Sequence, residues 1–165
     1  MKTEAKLAIE IQYGSPALEK KLTQVISTTL MKKWVKQACK LSGLITLRFV
    51  NVAEGKKLNS AFRNKDKATN VLTFPYELSK KELLADIVFC LPVIQKEARE
   101  QQKTLKAHLA HLVIHGCLHA QGHDHEHEGE ALKMEKMEIK ILRDLGFANP
   151  YLPPCHLRNP HLSSS

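Results

Sequence analysis

The run His115-Gly-Cys-Leu-His119-Ala-Gln-Gly122-His-Asp-His125 constrains this chain more than any other stretch. Histidines at i and i+4 leave a helix on the same side, with Cβ atoms about 5–6 Å apart. Gly122 can take the left-handed conformation that ends a helix and reverses the chain. His125 can then swing back to complete a facial triad with His115 and His119. Three imidazoles at this spacing can hold a divalent metal and leave one coordination position open to water. The first expectation is a metal-dependent hydrolase.

The neighbours of the run qualify that expectation. If the helix continued through Gly122, His123 would extend the stripe better than His125 does, but glycine is a poor helix interior and a good cap. Asp124 is placed to fix the tautomer of a ligand imidazole. His111 and His123 are further groups that could support a ligand or touch substrate, whereas His108 lies too far along the helix to share the metal. Cys117 is two positions from both His115 and His119 and so falls on another face, where it reads as packing. Glu126, His127 and Glu128 read as the acidic entry of a following helix.

A chain of 165 residues suffices for one domain with a real core and is short for two. The longest mostly apolar stretch, 83–94, contains Asp86 and Pro92 and falls short of the ~20 residues of a membrane span. The N-terminus lacks the apolar core of a signal peptide. Cys39, Cys90, Cys117 and Cys155 form no CxxC pair, which suits free thiols in a reducing cytoplasm. Between Lys32 and Lys67 stand ten basic residues and two acidic ones, an excess equal to the net charge of +8 for the whole chain. Such a segment is either a solubilising surface or a face for a polyanion.

Alternation at Ala5, Leu7, Ile9, Ile11 and Tyr13 predicts a half-buried strand. Ser15-Pro16 opens a helical region with Leu22, Val25, Ile26, Leu30, Trp34, Ala38 and Leu41 on one stripe, and the patch Ser27-Thr28-Thr29 is a candidate break within it. A second strand is expected over 44–52, a short helix over 53–62, β-prone chain over 70–74 up to Pro75, and a buried strand over 84–90. Helices are then expected from Pro92 to about 102, from about 105 to 121, and from about 128 to 145. Met134, Met137, Ile141 and Leu145 form the core stripe of the last, and Gly146 caps it. Strands and helices interleave irregularly, so the class is α+β or mixed α/β with a small sheet. Residues 1–151 are expected to form the single domain, and the Pro- and Ser-rich 152–165 a mobile tail.

The histidine spacing agrees with the zinc-endopeptidase pattern HExxHxxGxxH at each ligand and at the glycine. The departure is Gly116, which stands where those enzymes carry the glutamate that activates water.

The run from His115 to His125 resembles the HGxLHLxGYDH signature of the bacterial YbeY family of ribosomal-RNA maturation endoribonucleases. The stretch Leu58-Asn-Ser-Ala-Phe-Arg63-Asn-Lys-Asp66-Lys-Ala-Thr-Asn70-Val-Leu-Thr-Phe-Pro75 is similar to a second block of that family, Ala85-Asp-Ile-Val-Phe-Cys90 to its next strand, and Leu145-Gly-Phe-Ala-Asn-Pro-Tyr151 to its C-terminal block. Ala120, His123 and Thr73 depart from the family's usual Leu, Tyr and Ser. The resemblance implies a zincin-like fold and a metal-dependent endoribonuclease directed at single strands. It further implies action in 16S rRNA 3′-end maturation and in late quality control of the small ribosomal subunit, with that subunit, its proteins and the rRNA as partners. By the same resemblance His115, His119 and His125 are the metal ligands and Arg63 is the functionally important arginine.

With these parts Arg63 would meet the charge that gathers on phosphorus in the transition state. Lys56, Lys57, Lys65 and Lys67 of the basic segment would follow the RNA backbone. Aromatic residues make up 5% of the chain, so reading of bases by stacking should be limited. The metal is expected to be zinc, although three imidazoles also accept nickel, cobalt or manganese. Two other readings share the histidines. One is a metalloprotease, which Gly116 and the basic surface oppose. The other is a ribosome assembly factor with a structural metal, which a three-ligand site opposes, because closed structural zinc sites supply four ligands.

Overall fold

The protein is described by a computed structural model covering residues 6–63, 69–123 and 128–152, with the side chains of 62 and 63 excepted. Its centre is a four-stranded mixed sheet in the order β1-β2-β4-β3, built from β1 (Leu7–Tyr13), β2 (Ser42–Val50), β3 (Val71–Leu78) and β4 (Glu82–Cys90). β1 and β4 both run parallel to β2, and β3 returns antiparallel to β4. Two helices, α1 (Pro16–Thr23) and α2 (Thr28–Ala38), cross from β1 to β2; α3 (Val52–Arg63) leads from β2 to β3. The chain ends in α4 (Leu91–Glu100), α5 (Leu105–Ala120) and α6 (Glu128–Asp144).

Strand residues alternate between two apolar clusters, as the twofold period of a strand requires. Ile45, Leu47, Phe49, Ala85, Ile87 and Phe89 face the main core with α1, α2, α4, α5 and α6, whereas Val50, Leu72, Val88 and Cys90 face Leu58 of α3. A row of rings crosses the main face, Tyr13 against Phe49 at 5.7 Å and Phe49 against Phe89 at 5.2 Å between centroids. Trp34 is fully buried and meets the edge of Phe147.

The break expected near Ser27 is present. The Ser27 hydroxyl accepts from Leu30 N–H at 3.1 Å and starts α2 as a separate helix. Val25 does not join the stripe: it lies between the helices and is 57% exposed. β3 continues through Pro75 to Leu78, further than the proline suggested. It is an edge strand, where a missing N–H breaks no ladder on the solvent side, and its register shifts between Pro75 and Glu77.

The basic segment is divided by the sheet. Lys32, Lys33, Lys36 and Lys40 ride on or just beyond α2, which packs in the main core, while Lys56 and Lys57 are exposed on α3 across the sheet. Among the described residues the clustered charge is therefore two basic surfaces.

Candidate metal and nuclease site

Helix α5 is apolar on nearly every side, as a helix enclosed by its neighbours must be. Thr104 begins it, its hydroxyl accepting from Ala107 N–H at 3.0 Å. Over 109–120 only His111, His115 and His119 are not buried. They recur every fourth residue, so beyond the first turn the stripe of this helix that reaches the surface is made of imidazoles. Ring centroids of His111 and His115 are 6.3 Å apart, and those of His115 and His119 are 6.4 Å apart.

The helix stops where expected. Gly122 has φ +94°, His123 N–H bonds to Leu118 O at 3.2 Å and Gly122 N–H to His119 O at 3.0 Å. This paired closure needs a left-handed residue at position 122. Gln121 ties the same helix end to α2, donating from Nε2 to Ala38 O at 2.7 Å. The third expected ligand, His125, and its neighbour Asp124 lie outside the described residues, as do Lys65 and Lys67. Arg63 is the last residue of α3. Among the described residues no group of three or more His, Cys, Asp or Glu is placed to hold a metal ion. His115 and His119 nonetheless suit a metal: both are imidazoles on one accessible face, borne by a helix whose other sides are packed.

Gly116 answers to packing. It is buried against the sheet, and a methyl group there would stand 2.9 Å from Ile87 Cγ2. Cys117 is also buried, and its thiol is pushed up in pKa by burial, so it is the packing residue its position suggested.

Glu138 was hidden in the sequence. The expected stripe of α6 was Met134, Met137, Ile141 and Leu145, but the fully buried line is Met134, Glu138 and Leu142, with the others packed around it. Glu138 Oε2 accepts from His115 Nδ1 at 2.8 Å, and Oε1 accepts from His111 Nε2 at 2.6 Å and from the Tyr151 hydroxyl at 2.5 Å. Burial works against its charge, yet the donors from His111, His115 and Tyr151 together outweigh it and hold the carboxyl down at about 2. The available signal was a carboxylate at i+4 from one core residue and i−4 from another; Tyr151 carried none beyond its place in the C-terminal block.

A second carboxylate, from α4, meets the first turns of α5. Glu97 accepts from buried His108 Nε2 at 3.0 Å and from Asn70 Nδ2 at 3.1 Å, joining α4, α5 and the start of β3. Burial holds the His108 imidazole below its usual range despite the carboxylate beside it. Unfolding frees it to bind a proton, so its stabilisation is complete above the ordinary value of 6.5 and is lost as pH falls through the lower folded value. Urea unfolding of metal-free protein is expected to show lower stability at about pH 5 than at about pH 7.5, with a smaller difference in His108→Gln. An equal difference in both proteins would remove His108 as the cause.

Comparison with known proteins bears on the whole domain. The profile of the family described as Endoribonuclease YbeY matches residues 6–146. A protein of Polynucleobacter asymbioticus named Endoribonuclease YbeY is 66% identical over 152 residues, 92% of this chain and 98% of that one. Another of that name, from Janthinobacterium sp. (strain Marseille), is 50% identical over 89% of this chain and 95% of its own length. A solution structure of a Thermotoga maritima protein shares 28% identity, with a TM-score of 0.51 over 83% of this chain and 91% of that one. The helix, the cap and the histidine stripe therefore sit in a domain matched almost from end to end, and the chain belongs to the YbeY family of endoribonucleases.

Proposed function

We propose that this protein is a metal-dependent endoribonuclease that cuts single-stranded RNA, with the 3′ region of 16S rRNA as its substrate. In this reading it works in the cytoplasm in small-subunit maturation and late quality control, alongside the subunit and its proteins. The observation that carries the reading is the imidazole stripe: over 109–120, α5 is otherwise buried and presents only His111, His115 and His119. In keeping with it, no described helix is long and apolar enough to cross a membrane.

His115, His119 and His125 would hold one divalent metal, zinc before others, in a zincin-like frame. Such an ion, when bound, lowers the pKa of a water ligand and polarises a phosphoryl oxygen. The chain's own residues supply the remainder. Arg63 meets the non-bridging oxygens of the scissile phosphate as their charge grows, a task suited to a guanidinium. Lys56 and Lys57 of α3, with Lys65 and Lys67 beyond it, hold the flanking phosphates. Glu138 is not a base for the reaction, because it is 1% exposed and both of its oxygens accept hydrogen bonds.

The test is cleavage of a labelled single strand carrying the 16S 3′ region, with an unfolded protein as the second substrate. RNA is expected to be cut and the protein left whole. A chelator should stop cleavage and added zinc should restore it. Arg63→Ala should slow it by about 10²–10³-fold, the usual cost of losing one donor to a developing charge. Cleavage that persists in chelator, or at full rate in the Arg63 variant, would count against the proposal.

A further inference from the structure

Glu138 lies where an apolar residue would serve the core better. Met134 and Leu142 flank it on the buried line of α6, and replacing buried charge with apolar side chains of similar volume is often neutral or stabilising. What the carboxylate does instead is join two histidines of the stripe. It accepts from His115 through Nδ1 at 2.8 Å and from His111 through Nε2 at 2.6 Å, so the two rings present opposite nitrogens to it. For His115 the nitrogen on the side of the ring away from the carboxylate is Nε2. For His111 it is Nδ1, since Nε2 already faces the carboxylate.

We propose that Glu138 is the positioning residue for His115, holding it as the Nδ1–H tautomer so that Nε2 meets the metal, and that Tyr151 locks the carboxylate in that orientation. The inference rests on His115 being a metal ligand, as in the function proposed above. A carboxylate behind a ligand imidazole fixes its tautomer and ring plane and raises its basicity. Here the carboxylate is itself held by three donors, so it has one orientation. Tyr151 is brought there by the turn after α6: Lys103 Nζ donates to Pro150 O at 2.8 Å, and the tyrosine ring stands edge-on to His111 at 5.3 Å. The same contacts separate the histidines by role, with His111 a donor to Glu138 and His115 a donor on one side and a ligand on the other.

The experiment uses metal-free full-length protein with ¹⁵N-labelled histidine. Nitrogen shifts report the tautomer of His115, and competition against a chromophoric chelator reports zinc affinity. Wild type should show the Nδ1–H form. Glu138→Met should fold, lose the tautomer preference and bind zinc about 10–100-fold more weakly. Tyr151→Phe should keep the tautomer and lose less. If Glu138→Met does not fold, Glu138→Gln is read the same way, with a loss of about tenfold expected. His119→Ala separates the two ideas. If wild type binds zinc no better than His119→Ala, the metal reading itself fails. If wild type binds well and the Glu138 variant matches it with an unchanged His115 tautomer, the positioning role is overturned.

Discussion

Replacing His119 by alanine is expected to abolish RNA cleavage while leaving the fold intact. His119 belongs to the partly exposed stripe of α5, and alanine is the best helix former, so the helix itself is kept. Stability should change by no more than about 1 kcal/mol, as for substitutions outside the core. Cleavage should fall by about three orders of magnitude or more, about 4 kcal/mol of transition-state stabilisation. His111→Ala should do less, because His111 gives its Nε2 to Glu138. Single-turnover cleavage beside a thermal melt separates the effects. A His119 variant that melts normally and cuts RNA at the wild-type rate would remove the stripe from the mechanism.

Gly116→Glu, which restores the peptidase glutamate to the motif, is expected to unfold the protein. Even alanine is crowded there, with its methyl 2.9 Å from Ile87 Cγ2 and 3.7 Å from Val71 Cγ2. Ile87 Cγ2 hangs directly from a branched Cβ on a central strand and has little freedom to move aside. Gly116→Ala sets an overpacking cost of about 1–3 kcal/mol against a helix-propensity gain of about 1 kcal/mol. Glutamate adds an unpaired carboxylate in the main core, beside Ile87 and Val71. The total should exceed about 4 kcal/mol, a large part of a typical domain's stability. Urea unfolding of the alanine variant and the soluble yield of the glutamate variant check this. A folded Gly116→Glu protein with peptidase activity would revive the metalloprotease reading. As it stands, position 116 faces the sheet, away from the histidine stripe.

The elements were largely legible because their signals are local. Ser27 announced α2 three residues before its hydroxyl is used, and Gly122 ended α5 by a requirement of its own backbone. The class, a small mixed sheet among helices, followed from the order of these elements. Where the reading slipped, a longer-range condition prevailed. Pro75 looked like the end of β3, but an edge strand tolerates it. Val25 fitted the helical period, but the period stops at the break between α1 and α2.

The chemistry divides along the same line. Sequence by itself determined that His115 and His119 share a helix face and that the helix ends at Gly122, because both depend on bonds spanning four or five residues. Tertiary structure alone decided that the histidine face is the surface stripe of a buried helix, that the basic segment lies on two sides of a sheet, and that Gly116 is a packing contact. It also decided that Glu138, 23 residues from His115, closes on that imidazole. Such pairings depend on how α5 and α6 pack against one sheet, and spacing along the chain carries no record of that.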